Sequence, residues 1–501
     1  MNKEIKSGVI LSYLLLILNT LYGLIITPYI LKYVGENAYG VYKSVASISS
    51  SLAVMDLGLG TTMTRYMAKY HATKDNKGAE NFAGMIFAQY GIISLLIAAV
   101  GVVLVSLVDS VYSTSFAVEE RALAKVILSI LIVNMILRLL ENLFFGILSG
   151  YEKFQFSNAA KVINVILKFS LIILLLPIFK NVLLIVLLET VIVICTIIIY
   201  VFYIFKKVHL RPKIYYWDQR LFKESFGYTA LMFIQTITVQ FNGNIDNILI
   251  GARISAASVT VYSMALQIFG MYENLSGSIA NIMLPNITKK VVNNSSSREL
   301  QSTVVRAGRF QFLLLAAALG GFCVLGKDFY QLWLGDSFSD CYLLTLILII
   351  PVTFPMVQNV SLSILRAENK MLYRTITLAI SCVLNFAVTL VGISLWGYWG
   401  AALGTASATF LNLILMNYYY HKELGFNVFS MFYQIFHRII LCAVVASIVT
   451  YIAKLVLYGS WFSFIFDVII FMITYIVLLM KFGLSESERN IILGRFARKI
   501  A

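Results

Sequence analysis

Long apolar runs alternate with short polar segments along almost the whole of this 501-residue chain. A membrane-spanning helix takes about 20 consecutive apolar residues, and about fourteen runs of that size can be marked. They cover residues 8–31, 40–66, 81–107, 122–148, 155–177, 182–206, 222–251, 256–285, 304–326, 341–365, 372–394, 399–420, 431–455 and 461–481. The runs do not alternate polar and apolar residues as the strands of a membrane β-barrel do. The pattern predicts an all-α polytopic membrane protein with about 14 transmembrane helices.

Composition agrees with this prediction, because 60% of the residues are hydrophobic and only 13% are charged. The net charge of +15 does not indicate nucleic-acid binding, because the basic residues cluster in alternate loops. These clusters lie within residues 3–6, 69–77, 206–220, 289–298, 366–374 and 489–499. By the positive-inside rule, we expect these loops and both termini to be cytoplasmic.

The five cysteines are scattered and show neither metal-ligand spacing nor a disulfide framework. The phosphate-binding loop GxxxxGK[ST] does not occur, so ATP is not expected to drive the protein directly. We therefore predict no cofactor and no metal site, and coupling to H⁺ or Na⁺ is the remaining source of energy that the sequence suggests.

The chain looks duplicated. The segment ILSGYEKFQFSNAAKVINVILKFSL, which begins at Ile147, aligns without a gap with ILRAENKMLYRTITLAISCVLNFAV, which begins at Ile364. Lys168 then falls on Asn385, so the first copy keeps a charge where the second has an amide. Two pseudo-symmetric six-helix lobes with the same topology should be related by an axis along the membrane normal. We predict an N-terminal lobe (1–206), a basic cytoplasmic linker (207–221), a C-terminal lobe (222–425) and an extra helix pair with a basic cytoplasmic tail (426–501).

Three cations lie inside the apolar runs of the first half: Arg138, Lys161 and Lys168. An ionisable residue at bilayer depth costs about 2.5–3.5 kcal/mol on insertion scales, so it usually faces a cavity or a partner. Lys161 and Lys168 are seven residues apart and share one helix face. They can bind an anionic substrate, or they can form structural pairs with carboxylates such as Glu141, one turn from Arg138.

Four acidic residues inside the runs are candidates for ion coupling: Asp56, Glu141, Asp246 and Glu273. A carboxylate held among apolar helices can take up a proton or Na⁺. Asp246 belongs to a polar stripe that includes Asn242, and we favour its pairing with Asn242 or Arg253 over a coupling role. Gly58 and Gly60 follow Asp56 and permit either close helix approach or local bending of the second run.

Several phrases carry a family resemblance. They are TPYILKYVGENAYGVY, DLGLGTTMTRYMAKY, NIDNILIG followed by VYSM, and the ILSGYEKF turn. In them the chain resembles the multidrug/oligosaccharidyl-lipid/polysaccharide (MOP) exporter superfamily, and within it the polysaccharide (O-antigen or capsule repeat-unit) lipid flippases. The resemblance extends over essentially the whole chain, including the extra helix pair.

The resemblance implies alternating access around a central cavity in the bacterial cytoplasmic membrane. The cargo would be an undecaprenyl-pyrophosphate-linked oligosaccharide moved to the outer leaflet, with a polysaccharide polymerase and glycosyltransferases as candidate partners. Arginine and lysine suit a pyrophosphate that leaves water. The predicted substrate-binding residues are Arg138, Lys161, Lys168, Arg65 and Asn242, although Arg65 can also simply snorkel to the membrane surface.

Other functions remain open. Lipid II flippases of the same superfamily resemble a pattern with arginine in the first helix, and this chain has none between Lys6 and Lys32. A multidrug antiporter would favour an acidic cavity with few cations. A membrane polymerase or ligase would need a catalytic surface on a long outer loop, and the connections near 107–121 and 327–340 are too short for one. We therefore predict a transporter rather than an enzyme.

Overall fold

The computed structural model describes residues 3–217, 219, 229–293, 295–368, 370–455, 460–486 and 488–490. Within these ranges the chain forms seventeen α-helices and no strand. The all-α polytopic class predicted from the apolar runs is confirmed.

The first seven helices precede the gap at residues 220–228. They are α1 (Lys3–Val34), α2 (Glu36–Ser51), α3 (Leu59–Thr73), α4 (Asn76–Val111), α5 (Val118–Gly150), α6 (Phe154–Phe179) and α7 (Leu183–Tyr203). The others are α8 (Thr229–Arg253), α9 (Ala256–Val292), α10 (Ser297–Leu334), α11 (Asp340–Met356), α12 (Asn359–Ala367), α13 (Leu372–Trp396), α14 (Tyr398–Leu424), α15 (Val428–Phe436), α16 (Ile439–Lys454) and α17 (Trp461–Leu478).

Eleven helical segments of the described chain are long and apolar enough to cross a membrane. Three predicted runs, at 40–66, 222–251 and 256–285, are not among them. The run 40–66 is interrupted, and residues 222–228 lie outside the described residues. Helices α8 and α9 both carry polar side chains along their length.

The interruption of the second run follows from its sequence. A 3₁₀ turn, Leu52–Asp56, ends α2, and both Leu57 (φ 52°) and Gly58 (φ 70°) adopt left-handed backbone conformations before α3 begins. Glycine reaches this region without steric cost. The predicted bending is therefore a complete break, and it places Asp56 at the end of a helix.

Two further breaks divide long apolar runs. Helix α11 ends at Met356, directly after Pro355, and α12 begins at Asn359. Proline cannot donate a backbone hydrogen bond and distorts the helix around it. The break between α15 and α16 falls at Arg438, whose φ is 67°. No glycine or proline marks that position, so the apolar pattern did not predict this break.

The chain forms two compact units. Unit 1 comprises Met1–Ser263 with Leu390–Ala401, and unit 2 comprises Met264–Thr389 with Ala402–Ala501. In unit 1, α1 packs on α6, α5 packs on α2, α3, α4 and α7, and α8 packs on α2. In unit 2, α10 packs on α11, α12, α15, α16 and α17 around an apolar core. The predicted boundaries of the two lobes, the linker and the helix pair stay predictions.

The described part of the predicted linker is bound to α4 within unit 1. The side-chain oxygen of Asn81 accepts hydrogen bonds from the backbone N–H groups of Tyr215 (2.7 Å) and Tyr216 (3.0 Å). A Cβ at Gly84 would lie only 2.7 Å from the backbone of Lys213, so glycine permits this close approach. Residues 218, 220 and 221 of the predicted linker lie outside the described residues.

Candidate functional site

A cavity of about 290 Å³ opens between α1, α5, α6 and α7 of unit 1, and it is called the unit-1 cavity below. Thirteen residues line it: Leu15, Asn19, Tyr22, Arg138, Glu141, Lys161, Asn164, Val165, Lys168, Glu189, Ile192, Val193 and Thr196. Five of these side chains are ionisable acids or bases inside long apolar helices, which is where charge usually has a function.

Helical periodicity explains why these residues meet. Helix α6 supplies Lys161, Asn164 and Lys168, spaced three and four residues apart, and therefore presents one polar face. Helices α1 and α7 repeat the same spacing with Leu15, Asn19 and Tyr22, and with Glu189, Ile192, Val193 and Thr196. Each helix thus gives one stripe to the cavity and keeps its other faces for packing or lipid.

Glu189 is the electrostatic centre of the cavity. One carboxylate oxygen accepts a hydrogen bond from Arg138, and the other accepts one from Lys168 at 3.0 Å. The side chains of Glu189 and Lys168 are 16% and 24% exposed, whereas that of Arg138 is 48% exposed. Glu189 therefore connects α5 with α6, and much of the Arg138 guanidinium stays open to the cavity.

The remaining wall combines a cation with aromatic and neutral polar groups. Nζ of Lys161 lies 3.5 Å from the centroid of the Phe145 ring, within cation–π distance. Nζ of Lys168 lies 5.6 Å from the centroid of the Tyr22 ring. The Asn164 amide donates to Oγ1 of Thr196 at 2.7 Å, which joins α6 to α7. With three cations against Glu141 and Glu189, the ionised cavity carries a surplus of positive charge.

Four of the nine predicted site residues therefore come together: Arg138, Glu141, Lys161 and Lys168. The carboxylate bound to Arg138 is Glu189 of α7, not Glu141 as the structural alternative suggested. Glu189 is not among the residues that the sequence predicted for the site. The sequence contained a signal for it, because Glu189 is the single charged residue in the apolar stretch 182–205.

The other predicted acids lie elsewhere. Asp56 accepts a hydrogen bond from the Tyr90 hydroxyl at 2.7 Å. Asp246 is buried on α8 and accepts one from the Tyr262 hydroxyl at 2.6 Å. Glu273 is exposed on α9 in unit 2. None of the three lines the unit-1 cavity, and their coupling roles stay predictions.

Two predicted substrate-binding residues also lie outside the unit-1 cavity. Arg65 is exposed on α3, and Asn242 is half-buried on α8. Among the described residues, no group of three or more His, Cys, Asp or Glu side chains is suited to hold a metal ion.

A tight seam joins α2 to α8 and α9 within unit 1. A Cβ at Gly40 would overlap the backbone carbonyl of Ala256, so only glycine fits there. Nearby, the Thr260 hydroxyl donates to the Glu36 carbonyl at 2.7 Å. This seam packs α2 against α8 and α9 at the ends of these helices that the loop charges predict to be outside.

Comparisons with known proteins agree with this architecture. The family profile described as "Polysaccharide biosynthesis protein" matches residues 5–291, more than half of the chain. The "Uncharacterized membrane protein EpsK" of Bacillus subtilis (strain 168) is 24% identical over 489 residues, which is 94% of each chain.

Two solved structures show the same fold. The lipid II flippase MurJ in an inward closed conformation has a TM-score of 0.73 at 14% identity, over 94% of this chain and 97% of that one. An inward-facing multidrug resistance MATE family transporter of the MOP superfamily has a TM-score of 0.65 at 14% identity, over 79% and 94%. At such identities the likeness shows the fold alone. The family profile decides the assignment: this chain belongs to the polysaccharide biosynthesis proteins and has the fold of the MOP-superfamily transporters.

Proposed function

We propose that this protein is a flippase that moves undecaprenyl-pyrophosphate-linked oligosaccharide repeat units across the cytoplasmic membrane for cell-surface polysaccharide assembly. Family membership supports the pathway. The observation that carries the proposal is the unit-1 cavity, which presents Arg138, Lys161 and Lys168 inside membrane helices. On this proposal the protein transports its cargo and has no enzymatic activity.

The cations suit the part of the cargo that is hardest to move. A pyrophosphate that leaves water needs charge-assisted hydrogen bonds, and guanidinium and ammonium groups supply them. Arg138 is half-exposed and has five N–H donors, which leaves donors for a ligand beside its bond to Glu189. Glu189 compensates the cations while the site is empty, and the pyrophosphate competes with it when the cargo enters.

The size of the cavity limits what it can enclose. At about 290 Å³ it is near the lower end of the roughly 300–1,000 Å³ of ligand pockets. It suits the pyrophosphate and the groups next to it, and not a whole repeat unit. The polyprenyl chain would stay in lipid, because moving each CH₂ group into water costs about 0.8 kcal/mol.

Transport on this proposal requires the cavity to open to the two membrane faces in turn. The seam between α2, α8 and α9 would have to separate for release at the outer face. Protonation or Na⁺ binding at the intramembrane carboxylates would supply the coupling, and Glu141 and Glu189 are the ones next to the cations. No bound cofactor is needed, and a polymerase and glycosyltransferases are the proposed partners.

The proposed direction also requires both termini and the linker to be cytoplasmic. Tyr215 is exposed in the linker, so its replacement by cysteine places a thiol where a membrane-impermeant reagent could reach it. Intact cells should show no labelling of that cysteine, and permeabilised cells should show it. Ready labelling of intact cells would overturn the proposed topology.

A leaflet-resolved analysis of polyprenyl-linked glycans after gene deletion tests the function directly. Repeat units should accumulate on the cytoplasmic face and return to normal when the gene is restored. Accumulation of lipid II instead would identify the rival lipid II flippase. Unchanged pools of both lipids, with increased drug sensitivity, would identify a multidrug antiporter.

A further inference from the structure

Two arginines lie at one end of unit 2, where α12 ends and α13 begins. Arg366 is exposed in the last turn of α12, and Arg374 is half-buried in the first turn of α13. Both belong to the basic cluster at 366–374, which the loop charges predict to be cytoplasmic. The unit-1 cavity includes neither of them.

The Arg374 guanidinium carries a hydrogen-bond donor that lacks an acceptor among the described residues. Its Nη1 atom is shielded from solvent and has no hydrogen-bond partner in the part of the chain that the structure describes. A buried donor without an acceptor is costly, and a charged one more so. Arg366 is close enough to repel Arg374 electrostatically, so the protein itself adds to the positive charge there.

The nearby carboxylates bind a different cation. Lys370, in the turn between the two arginines, lies 3.2 Å from an oxygen of Glu368 and 3.4 Å from one of Glu423. Lys370 is thus compensated from both α14 and its own turn. The arginine pair is not part of any ion pair found among the described residues, which leaves a local excess of positive charge.

The surroundings indicate what kind of anion fits. Leu372 and Ile376, one turn apart on α13, are 57% and 48% exposed, as expected of side chains that face lipid. The backbone N–H groups at the start of this 25-residue helix add to the positive potential. An anion at this position would therefore lie at headgroup level, beside acyl chains.

We propose that Arg366 and Arg374 form a binding site for the phosphate group of a lipid headgroup at the cytoplasmic end of unit 2. The planar guanidinium groups match phosphate oxygens in pairs. Either a phospholipid or a polyprenyl pyrophosphate can supply the phosphate, so this proposal does not depend on the proposed function. Where the lipid is the cargo, the site would receive it before translocation.

The test is lipid binding to the purified full-length protein, measured by native mass spectrometry. The lipids are undecaprenyl pyrophosphate, phosphatidylglycerol and undecaprenol, which has the same tail without phosphate. Arg374→Gln should weaken binding of at least one phosphate-bearing lipid about tenfold, as expected when a charge-assisted hydrogen bond is lost. Arg366→Gln should weaken it by less, and undecaprenol binding should not change in either variant.

Lys422→Gln is the matched control, because Lys422 is an exposed cation in the last turn of α14 at the same end of unit 2. It should change binding by less than about twofold. An equal loss in the control would mean general electrostatic attraction and would overturn the site. Wild-type binding by both arginine variants would overturn it as well. Arg366 is exposed, so its replacement keeps the test valid even if Arg374→Gln proves unstable.

The separate lipids identify the source of the phosphate. A loss confined to undecaprenyl pyrophosphate would make the site a cargo contact. A loss confined to phosphatidylglycerol would make it a site for membrane lipid, and a loss for both would mean that phosphate alone is recognised. The leaflet analysis is a transport measurement, so its failure would leave this binding result untouched.

Discussion

Among the described residues, each compact unit contains an arginine–glutamate ion pair, and the two pairs differ in how many of the arginine N–H groups are hydrogen-bonded. In unit 1, the Arg138 side chain is 48% exposed and that of Glu189 is 16% exposed. In unit 2, the Arg309 side chain is 16% exposed and that of Glu488 is 5% exposed. The same two residue types therefore differ in exposure between the units. Arg138–Glu189 is called the open pair below, and Arg309–Glu488 is called the closed pair.

The closed pair uses every nitrogen of its arginine. Nε and Nη2 of Arg309 donate to the two carboxylate oxygens of Glu488 at 2.6 and 3.0 Å. Nη1 donates to the Gln434 carbonyl at 2.7 Å, and Nη2 also donates to the Gly483 carbonyl at 3.0 Å. The pair holds α15 and the segment after α17 against α10, and four of the five N–H donors of Arg309 are engaged in these bonds.

The open pair has fewer hydrogen bonds from its arginine. Arg138 contacts Glu189 through one nitrogen, and the second oxygen of Glu189 is taken by Lys168. A guanidinium with several free donors beside a cavity can bind an anion, whereas one whose three nitrogens all donate to protein oxygens holds helices together. The geometry around an arginine–glutamate pair, and not its residue types, therefore separates a candidate site from a structural bond.

The largest expected effect is on the closed pair. Arg309→Gln leaves the Glu488 carboxylate buried without its cation, and breaking a buried pair in this way costs about 3–5 kcal/mol. The unfolding midpoint of the purified protein should fall clearly. Arg306→Gln, at an exposed position one turn earlier on α10, is the control and should be close to wild type. Equal midpoints in the two variants would remove the distinction between the pairs.

Export should respond most to the open pair. Arg138→Gln and Lys168→Asn, which places the second-half residue in the first half, should each lower export by about ten- to a hundredfold, as for charged hydrogen bonds of about 1.5–3 kcal/mol. Both variants should melt near the wild-type temperature, because their side chains are partly exposed. The assay is glycan export at matched protein levels, with Lys422→Asn as control. Near-wild-type export would remove both cations from the site.

Glu189→Gln should strengthen anion binding at the open pair, whereas the cation substitutions weaken it. It removes the carboxylate that competes with a bound anion, so affinity for inorganic pyrophosphate should rise about three- to tenfold, which corresponds to about 0.6–1.4 kcal/mol. Isothermal titration calorimetry measures this affinity. Glu119→Gln, at an exposed position near the start of α5, should leave it unchanged. Weaker pyrophosphate binding by Glu189→Gln would mean that Glu189 orients the cations instead of competing for them.

The smallest expected effect is a dependence of stability on pH at the closed pair. Burial alone would raise the pKa of Glu488, but the hydrogen bonds from Arg309 and Ser485 outweigh it and hold the pKa below its ordinary value of 4.5. A lowered folded-state pKa stabilises the fold above the ordinary value, and that stabilisation is lost as the pH falls through the lower one.

The measurement is the melting temperature between pH 7 and pH 3. The wild-type melting temperature should fall more steeply below about pH 4.5 than that of Glu488→Gln, which has no proton to take up at this position. Parallel curves would show that other carboxylates cause the acid sensitivity.

Equivalent positions in the two copies of the duplicated helix have different surroundings. The alignment of the two halves pairs the charged Lys168 with the neutral amide Asn385. In the structure Lys168 lines a cavity, whereas Asn385 is fully buried and accepts a hydrogen bond from Thr389 at 3.0 Å. A Cβ at Gly404 would lie 2.9 Å from the Asn385 amide oxygen, so the helices there pack too closely for a cavity.

The sequence alone predicted the helices, the membrane class, local bending after Asp56 and the polar faces of α5 and α6. These features depend on local properties: the length of apolar runs, helical periodicity, and the conformational limits of glycine and proline. Arg138, Glu141, Lys161 and Lys168 could be brought together in advance because α5 and α6 are joined by a short turn.

Tertiary packing determined that Glu189, 51 residues after Arg138, binds that guanidinium, and that Glu488, 179 residues after Arg309, binds another. It also decided the break at Arg438 and the contribution of α1 to the unit-1 cavity. The physical reason is that partners so distant along the chain are chosen by the packing of whole helices. Local composition specifies which residues can form a helix, and it does not specify which helix will lie beside it.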